Sequence, residues 1–109
     1  MKTQVRSYRD LLVWQKGMDL VVLSYELARR LPDSERYGLA TQIRRAAVSI
    51  PANIAEGHGR KHLGDKLHHL SVANGSLKEL ETHLLIAERL ASLKSADIQP
   101  ALKLAEELG

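Results

Sequence analysis

Five histidines, His58, His62, His68, His69 and His83, and two carboxylates seven residues apart, Glu81 and Glu88, are the side chains best suited to chemistry. Histidines near one another suggest metal ligation, and paired carboxylates suggest acid–base work or a di-metal site. The spacing argues against both. His58 and His62 are four apart, but Gly59 lies between them, and His68 and His69 are adjacent and diverge on a helix. Neither a Cys nor a tight carboxylate set completes a ligand group, so solvated polar positions are the better reading of the histidines. With Leu77 at the centre of a helix's core face, Glu81 and Glu88 both fall within about 40° of it. A di-metal bundle site wants Glu-x-x-His on two helices, and the chain has none. A carboxylate near a core needs a cation, because an unpaired buried charge is costly. Arg44 is the natural partner for Glu81 and Arg45 the alternative, which makes a structural ion pair the expectation.

A second cluster is basic. Arg60, Lys61 and Lys66, with His58, His62, His68 and His69, gather around Gly57 and Gly59. They form the best candidate for a nucleic-acid surface, which Arg6, Arg9, Arg29, Arg30 and Arg36 would extend. One copy carries a net charge of only +3. Repetition of the corner in an oligomer would concentrate enough cations to hold a phosphate backbone, with salt-sensitive affinity. No aromatic lies in the corner, so base stacking there is not expected. A Gly-rich phosphate loop of the G-x-x-x-x-G-K form, a nucleophile elbow and a Cys nucleophile are all missing from the sequence. A non-enzymatic protein without a cofactor or metal is the expectation.

The elements that must position these residues are helices. The 109 residues fit one domain, 1–109, and a 44% hydrophobic, 27% charged composition is that of a globular chain. With four aromatics and no Phe, the core must be built from Leu, Ile, Val and Ala. Zero Cys suits a reducing cytosol, Arg6 and Arg9 precede any apolar run, and no stretch approaches the roughly 20 apolar residues of a membrane span. A cytoplasmic protein is expected.

The first helical segment runs from about Asp10 to Arg30, with Leu11, Trp14, Met18, Val21, Tyr25 and Ala28 as its seam and Leu20, Leu23 and Leu27 widening it. Pro32 stops it, and Gly17 reads as a tolerated surface residue. The second starts near Asp33 or Ser34, bends at Pro51 and ends at Gly57. Its core stripe is Ile43, Ala47, Ile50 and Ile54, yet Val48, Ala52 and Ala55 fall on the opposite side. A helix apolar on both sides packs on both sides, so Val48, Ala52 and Ala55 are expected to meet another chain. The third segment, His62 to Ala91, repeats Leu70, Ala73, Leu77, Leu80, Leu84, Ala87 and Ala91. The fourth is short, capped by Asp97, with Ile98, Ala101, Leu102, Ala105 and Leu108 as its stripe. Short connections predict an all-α, antiparallel up-down-up-down four-helix bundle. Its brief fourth helix would leave apolar seam uncovered, a second reason to expect an oligomer.

Several blocks in these segments carry a resemblance. They are Tyr8–Lys16 (YRDLLVWQK), Glu35–Leu39 (ERYGL), Arg44–Gly57 (RRAAVSIPANIAEG), Gly59–Lys61 (GRK) and Gly75–Thr82 (GSLKELET). Together the chain resembles the bacterial four-helix-bundle family named for proteins encoded in 23S rRNA intervening sequences. That family includes the accessory variability protein of diversity-generating retroelements. The resemblance implies a barrel-shaped homopentamer with a basic surface and no catalytic role. It also implies RNA or DNA and a reverse transcriptase, or another protein, as partners. The chain departs from the pattern after Leu93. Members usually carry a longer fourth helix ending in basic residues, whereas here the last residues are Glu106, Glu107, Leu108 and Gly109. A protein–protein scaffold that binds no nucleic acid is the alternative reading.

Overall fold

Pro32, the Gly57–Gly59 corner and Ser92–Lys94 divide the apolar periodicity into four lengths, and each length is a helix. The computed structural model describes residues 5–109. Its helices are α1 (Leu12–Arg29), α2 (Leu39–His58), α3 (Leu63–Arg89) and α4 (Ser95–Leu108), with single 3-10 turns at Tyr8–Asp10 and Asp33–Glu35. Each helix packs against its two neighbours in a ring: α1 on α2, α2 on α3, α3 on α4 and α4 back on α1. Ion pairs fix the direction of the closing pair. Lys16 near the start of α1 meets Glu107 at the end of α4 at 3.3 Å. Arg30 at the end of α1 meets Asp97 at the start of α4 at 2.9 Å. The result is an antiparallel four-helix bundle with extents of 44 × 30 × 18 Å.

The core is aliphatic except for the buried Ser24 and Ser76. Leu20, Ile43, Ile50, Leu80, Leu84 and Ile98 are its largest fully buried side chains. The stripe expected for α2 is the one observed, since Ile43, Ala47, Ile50 and Ile54 are all buried. In α3 the expected stripe holds from Ala73 to Ala87, but Leu70 is exposed. Ala91 lies beyond the helix, in the left-handed region at φ 59°. It forms the C-terminal cap, with the Ser92 N–H donating to the Ala87 carbonyl at 3.0 Å.

In α1 the seam is rotated from the expected one by roughly 100°, one residue's turn of the helix. Gly17, Leu20, Ser24, Leu27 and Ala28 are buried, whereas Met18 and Tyr25 are exposed. The helix is apolar almost all round, so period alone did not decide which side faces the bundle. Gly17 decides it. A Cβ built there would lie 3.3 Å from Cβ of Pro51, so α1 and α2 are in tight contact at this point. Gly17 is therefore a packing residue, and α2 runs through Pro51 as one helix.

The helix starts also differ from expectation. Neither Asp33 nor Ser34 caps α2; the Glu35 carboxylate accepts the Leu39 N–H at 3.2 Å instead. Asp97 is the third residue of α4, not the cap, and its carboxylate reaches back to the Lys94 N–H at 2.9 Å. Pro100 therefore falls at the sixth helical position, past the first turn, where a proline removes a helix hydrogen bond.

Candidate nucleic-acid interface and assembly face

The basic corner is built by a close helix crossing. A Cβ on Gly57 would sit 3.2 Å from Cβ of His69 and 3.3 Å from the Lys66 carbonyl oxygen. The glycine lets α3 leave α2 at contact distance, so the corner is tight. His58 ends α2, Gly59 caps it, and His62 precedes α3 in extended backbone. Helix α2 runs one residue past the end expected at Gly57, which is buried inside the last turn.

The structure brings His58, Arg60, Lys61, His62 and Lys66 into this one corner, but not all as free cations. Arg60 donates to the Glu56 carboxylate at 2.8 Å. Lys66 is half-buried and donates to the His58 carbonyl at 3.2 Å. Lys61 and His62 stand exposed. His68 is exposed, as the solvated reading expects, whereas His69 and His83 are half-buried. His69 Nδ1 lies 3.1 Å from Asn53 Oδ1. Asn53 donates to Ser49 Oγ at 3.0 Å, and Ser76 donates to the same oxygen at 2.9 Å. A hydrogen-bonded seam thus links α2 to α3 along one edge. His83 is half-buried, and its Nε2 has no partner among the described residues. No group of three His, Cys, Asp or Glu side chains suited to a metal ion occurs among the described residues.

The expected ion pair of Glu81 with Arg44 or Arg45 does not form. Glu81 pairs within α3, with Lys78 at 3.5 Å. Arg44 turns the other way and donates to the Arg36 carbonyl at 3.4 Å and the Thr41 hydroxyl at 3.2 Å. The i, i+3 neighbour wins because it sits on the same helix face, whereas an Arg44 pair would have to cross to another helix.

Val48, Ala52 and Ala55 line the outer side of α2. With Tyr8, Trp14, Met18, Val21 and Pro51 they form a groove of about 420 Å3 between α1 and α2. Val48 is 43% exposed and Met18 42%. Tyr8 and Trp14 close one end, edge to face at 5.3 Å. The residues expected in the α1 core thus combine with the outer residues of α2 into one apolar face. A second uncovered surface lies past Leu108. There Leu11, Val13, Ile54, Gly57, Lys66 and Leu70 line an open groove of about 220 Å3.

The model of the 23S rRNA-intervening sequence protein family matches residues 9–109. Among solved structures, the chain is similar to a protein of the S23 ribosomal protein family from Bacteroides thetaiotaomicron VPI-5482. The two share 22% identity and a TM-score of 0.82, over 89% of this chain and 91% of that one. At that identity the likeness shows the fold. No curated protein matches the chain.

Proposed function

The chain belongs to the 23S rRNA-intervening sequence protein family, and from that premise we propose a non-enzymatic, homo-oligomeric adaptor that binds nucleic acid through a basic surface. The assembly is a cyclic pentamer in this reading. The observation that carries it is the apolar groove of Trp14, Met18, Val21, Val48, Ala52 and Ala55, held open to water on the outer side of two bundled helices. A contiguous exposed apolar face on a soluble domain marks a contact surface. Assembly through it would repeat every corner in the ring. Lys61 and His62, with Arg60 and Lys66 behind them, would then supply a basic rim far stronger than one chain of charge +3. Protein partners, a reverse transcriptase among them, belong to the same adaptor reading.

The scaffold alternative has one observation in its favour: Glu56 already occupies Arg60. Purified protein separates the two readings. The adaptor should carry nucleic acid through purification at low salt, visible as a raised 260/280 nm absorbance ratio, and shed it in a high-salt wash. Arg60→Glu with Lys61→Glu should abolish that retention without changing the oligomer mass. Protein free of nucleic acid at low ionic strength would leave the scaffold reading.

A further inference from the structure

At the N-terminal half of α2, about 20 Å along the helix from the basic corner, a second cationic surface is left uncompensated. Tyr25 of α1 and Thr41, Arg44, Arg45, Val48 and Ser49 of α2 line a shallow depression of about 460 Å3. The ion pairs among the described residues engage Lys16, Arg30, Arg60 and Lys78. None engages Arg36, Arg44 or Arg45. Arg44 is held by one terminal nitrogen, on the Arg36 carbonyl and the Thr41 hydroxyl. A guanidinium carries five donors, so its orientation is fixed while most of its N–H groups stay available. Its neighbour Arg45 is exposed.

Aromatic rings flank these arginines, which the corner lacks. Arg36 lies over the Tyr37 ring, 5.4 Å from its centroid. Tyr37 is 86% exposed, and Tyr25 beside the depression is 36% exposed. A tyrosine that far out in water buries little of its apolar ring, so packing within the chain does not account for its place. Arginine forks match phosphate oxygens two at a time. Rings with a free face stack bases of any sequence.

We propose that Arg44, Arg45, Tyr37 and Tyr25 form a seat for single-stranded nucleic acid, with phosphates on the guanidiniums and bases on the rings. The inference rests on the nucleic-acid reading above and adds the strand type to it. A duplex keeps its bases stacked inside and could use the arginines but not the rings. Carboxylates of a protein partner would also suit the arginines, but they give the exposed rings no role. Val48 belongs both to this depression and to the assembly groove. The seat therefore lies at the edge of the assembly face and would recur in every copy.

Fluorescence anisotropy of the full chain with labelled oligo(U), oligo(dT) and a duplex of equal length tests it. Tyr37→Ala, a change in a ring almost wholly in water, should weaken oligo(U) binding about tenfold and leave the duplex unchanged. Arg44→Glu with Arg45→Glu should weaken single strands at least tenfold, with unchanged helical circular dichroism. Oligo(U) and oligo(dT) binding alike places recognition on bases and phosphates, and a preference for oligo(U) adds the 2′-hydroxyl; either supports the seat. Wild-type affinity for single strands in both variants overturns it. If Arg60→Glu with Lys61→Glu still abolishes binding in that case, the adaptor reading survives alone. A wild-type chain that binds none of the probes at low salt overturns both. A changed oligomer mass in the double arginine variant, with Tyr37→Ala binding normally, would assign the arginines to a contact between copies and overturn the seat.

Discussion

Gly57 and Gly75 both lie inside helices, and their surroundings give opposite expectations for the same substitution. Gly75 has no atom within 4 Å of an added Cβ, whereas Gly57 meets His69 Cβ at 3.2 Å and the Lys66 carbonyl at 3.3 Å. Gly75→Ala should therefore stabilise the chain by about 0.5–1 kcal/mol, through helix propensity and a less flexible unfolded state. Gly57→Ala should cost about 1–3 kcal/mol, because a backbone carbonyl must move. Thermal melts of the two variants should shift in opposite directions, and a Gly57→Ala variant melting at or above wild type would refute the tight crossing. Ala91 offers a third test. At φ 59° it occupies the conformation glycine adopts freely. Ala91→Gly should raise stability by roughly 1 kcal/mol, read by urea denaturation at unchanged slope. At this scale the sequence located the basic corner and the outward apolar residues of α2, because both follow from position along one helix. It did not reveal that Glu56 takes Arg60, that Glu81 takes Lys78, or that His69 joins Asn53. The first two are i, i+4 and i, i+3 neighbours that spacing alone allows. Only the His69–Asn53 contact depends on side-chain reach across a crossing that the packed helices define. The Tyr25–Arg44–Arg45 surface escaped for the same reason, since α1 and α2 supply its parts separately.

At the scale of the element, periodicity located four helices and the inward stripes of α2, α3 and α4. It left open where α2 and α4 begin and which side α1 turns inward. Pro32 and the Gly57–Gly59 corner marked the first two breaks, and the apolar period itself lapsed between Ala91 and Asp97, so the number of helices and their order were legible. The rotation of α1 was not, because apolar residues cover Trp14–Met18–Val21 and Leu20–Leu27 alike and only Gly17 against Pro51 selects between them. The start of α4 was misplaced because an acidic residue can serve a helix N-terminus from the third position as well as from the cap. Asp97 does so. Its carboxyl is held below the usual carboxylate range, first by the Lys94 N–H and then by the Arg30 guanidinium. A carboxyl depressed in the folded state stabilises it above the unfolded pKa and loses that contribution as pH falls through the folded one. Asp97→Asn should therefore lower the melting temperature at neutral pH. The gap to wild type should narrow as pH drops below about 4, where unfolded Asp takes up its proton. A gap that stays constant between pH 7 and pH 3 would mean that the carboxylate's charge contributes nothing to docking α4 on α1.

For the whole molecule, the central question is what covers the groove between α1 and α2. A bundle of this length buries its aliphatic core without help, with Leu20, Ile43, Ile50, Leu80, Leu84 and Ile98 sealed inside. Yet it leaves Trp14, Met18, Val21, Val48 and Ala52 around an open groove. If the groove is where copies meet, native mass spectrometry should give a dominant species at five times 12.1 kDa. A dimer or tetramer would keep the assembly and sink the pentamer, and a sole species at the mass of one chain would sink both. Val48→Glu tests the face itself. Val48 is 43% exposed in the isolated bundle, so a carboxylate there can stay hydrated in a single copy and should not unfold it. In an assembled interface the same carboxylate would be buried without a partner, at a cost of several kcal/mol per copy. The variant should run as a monomer with a wild-type helical circular dichroism spectrum. Ala52→Glu, one turn further along the exposed side of α2, should do the same. An oligomer that survives both substitutions would put the contact elsewhere, with the groove past Leu108 next to be tested. A variant that loses its helical signal would show that Val48 supports the bundle it lies on. Either result would remove this groove as the assembly face, whereas only a wild-type chain that runs as a monomer would remove the repetition that turns a chain of charge +3 into a basic ring.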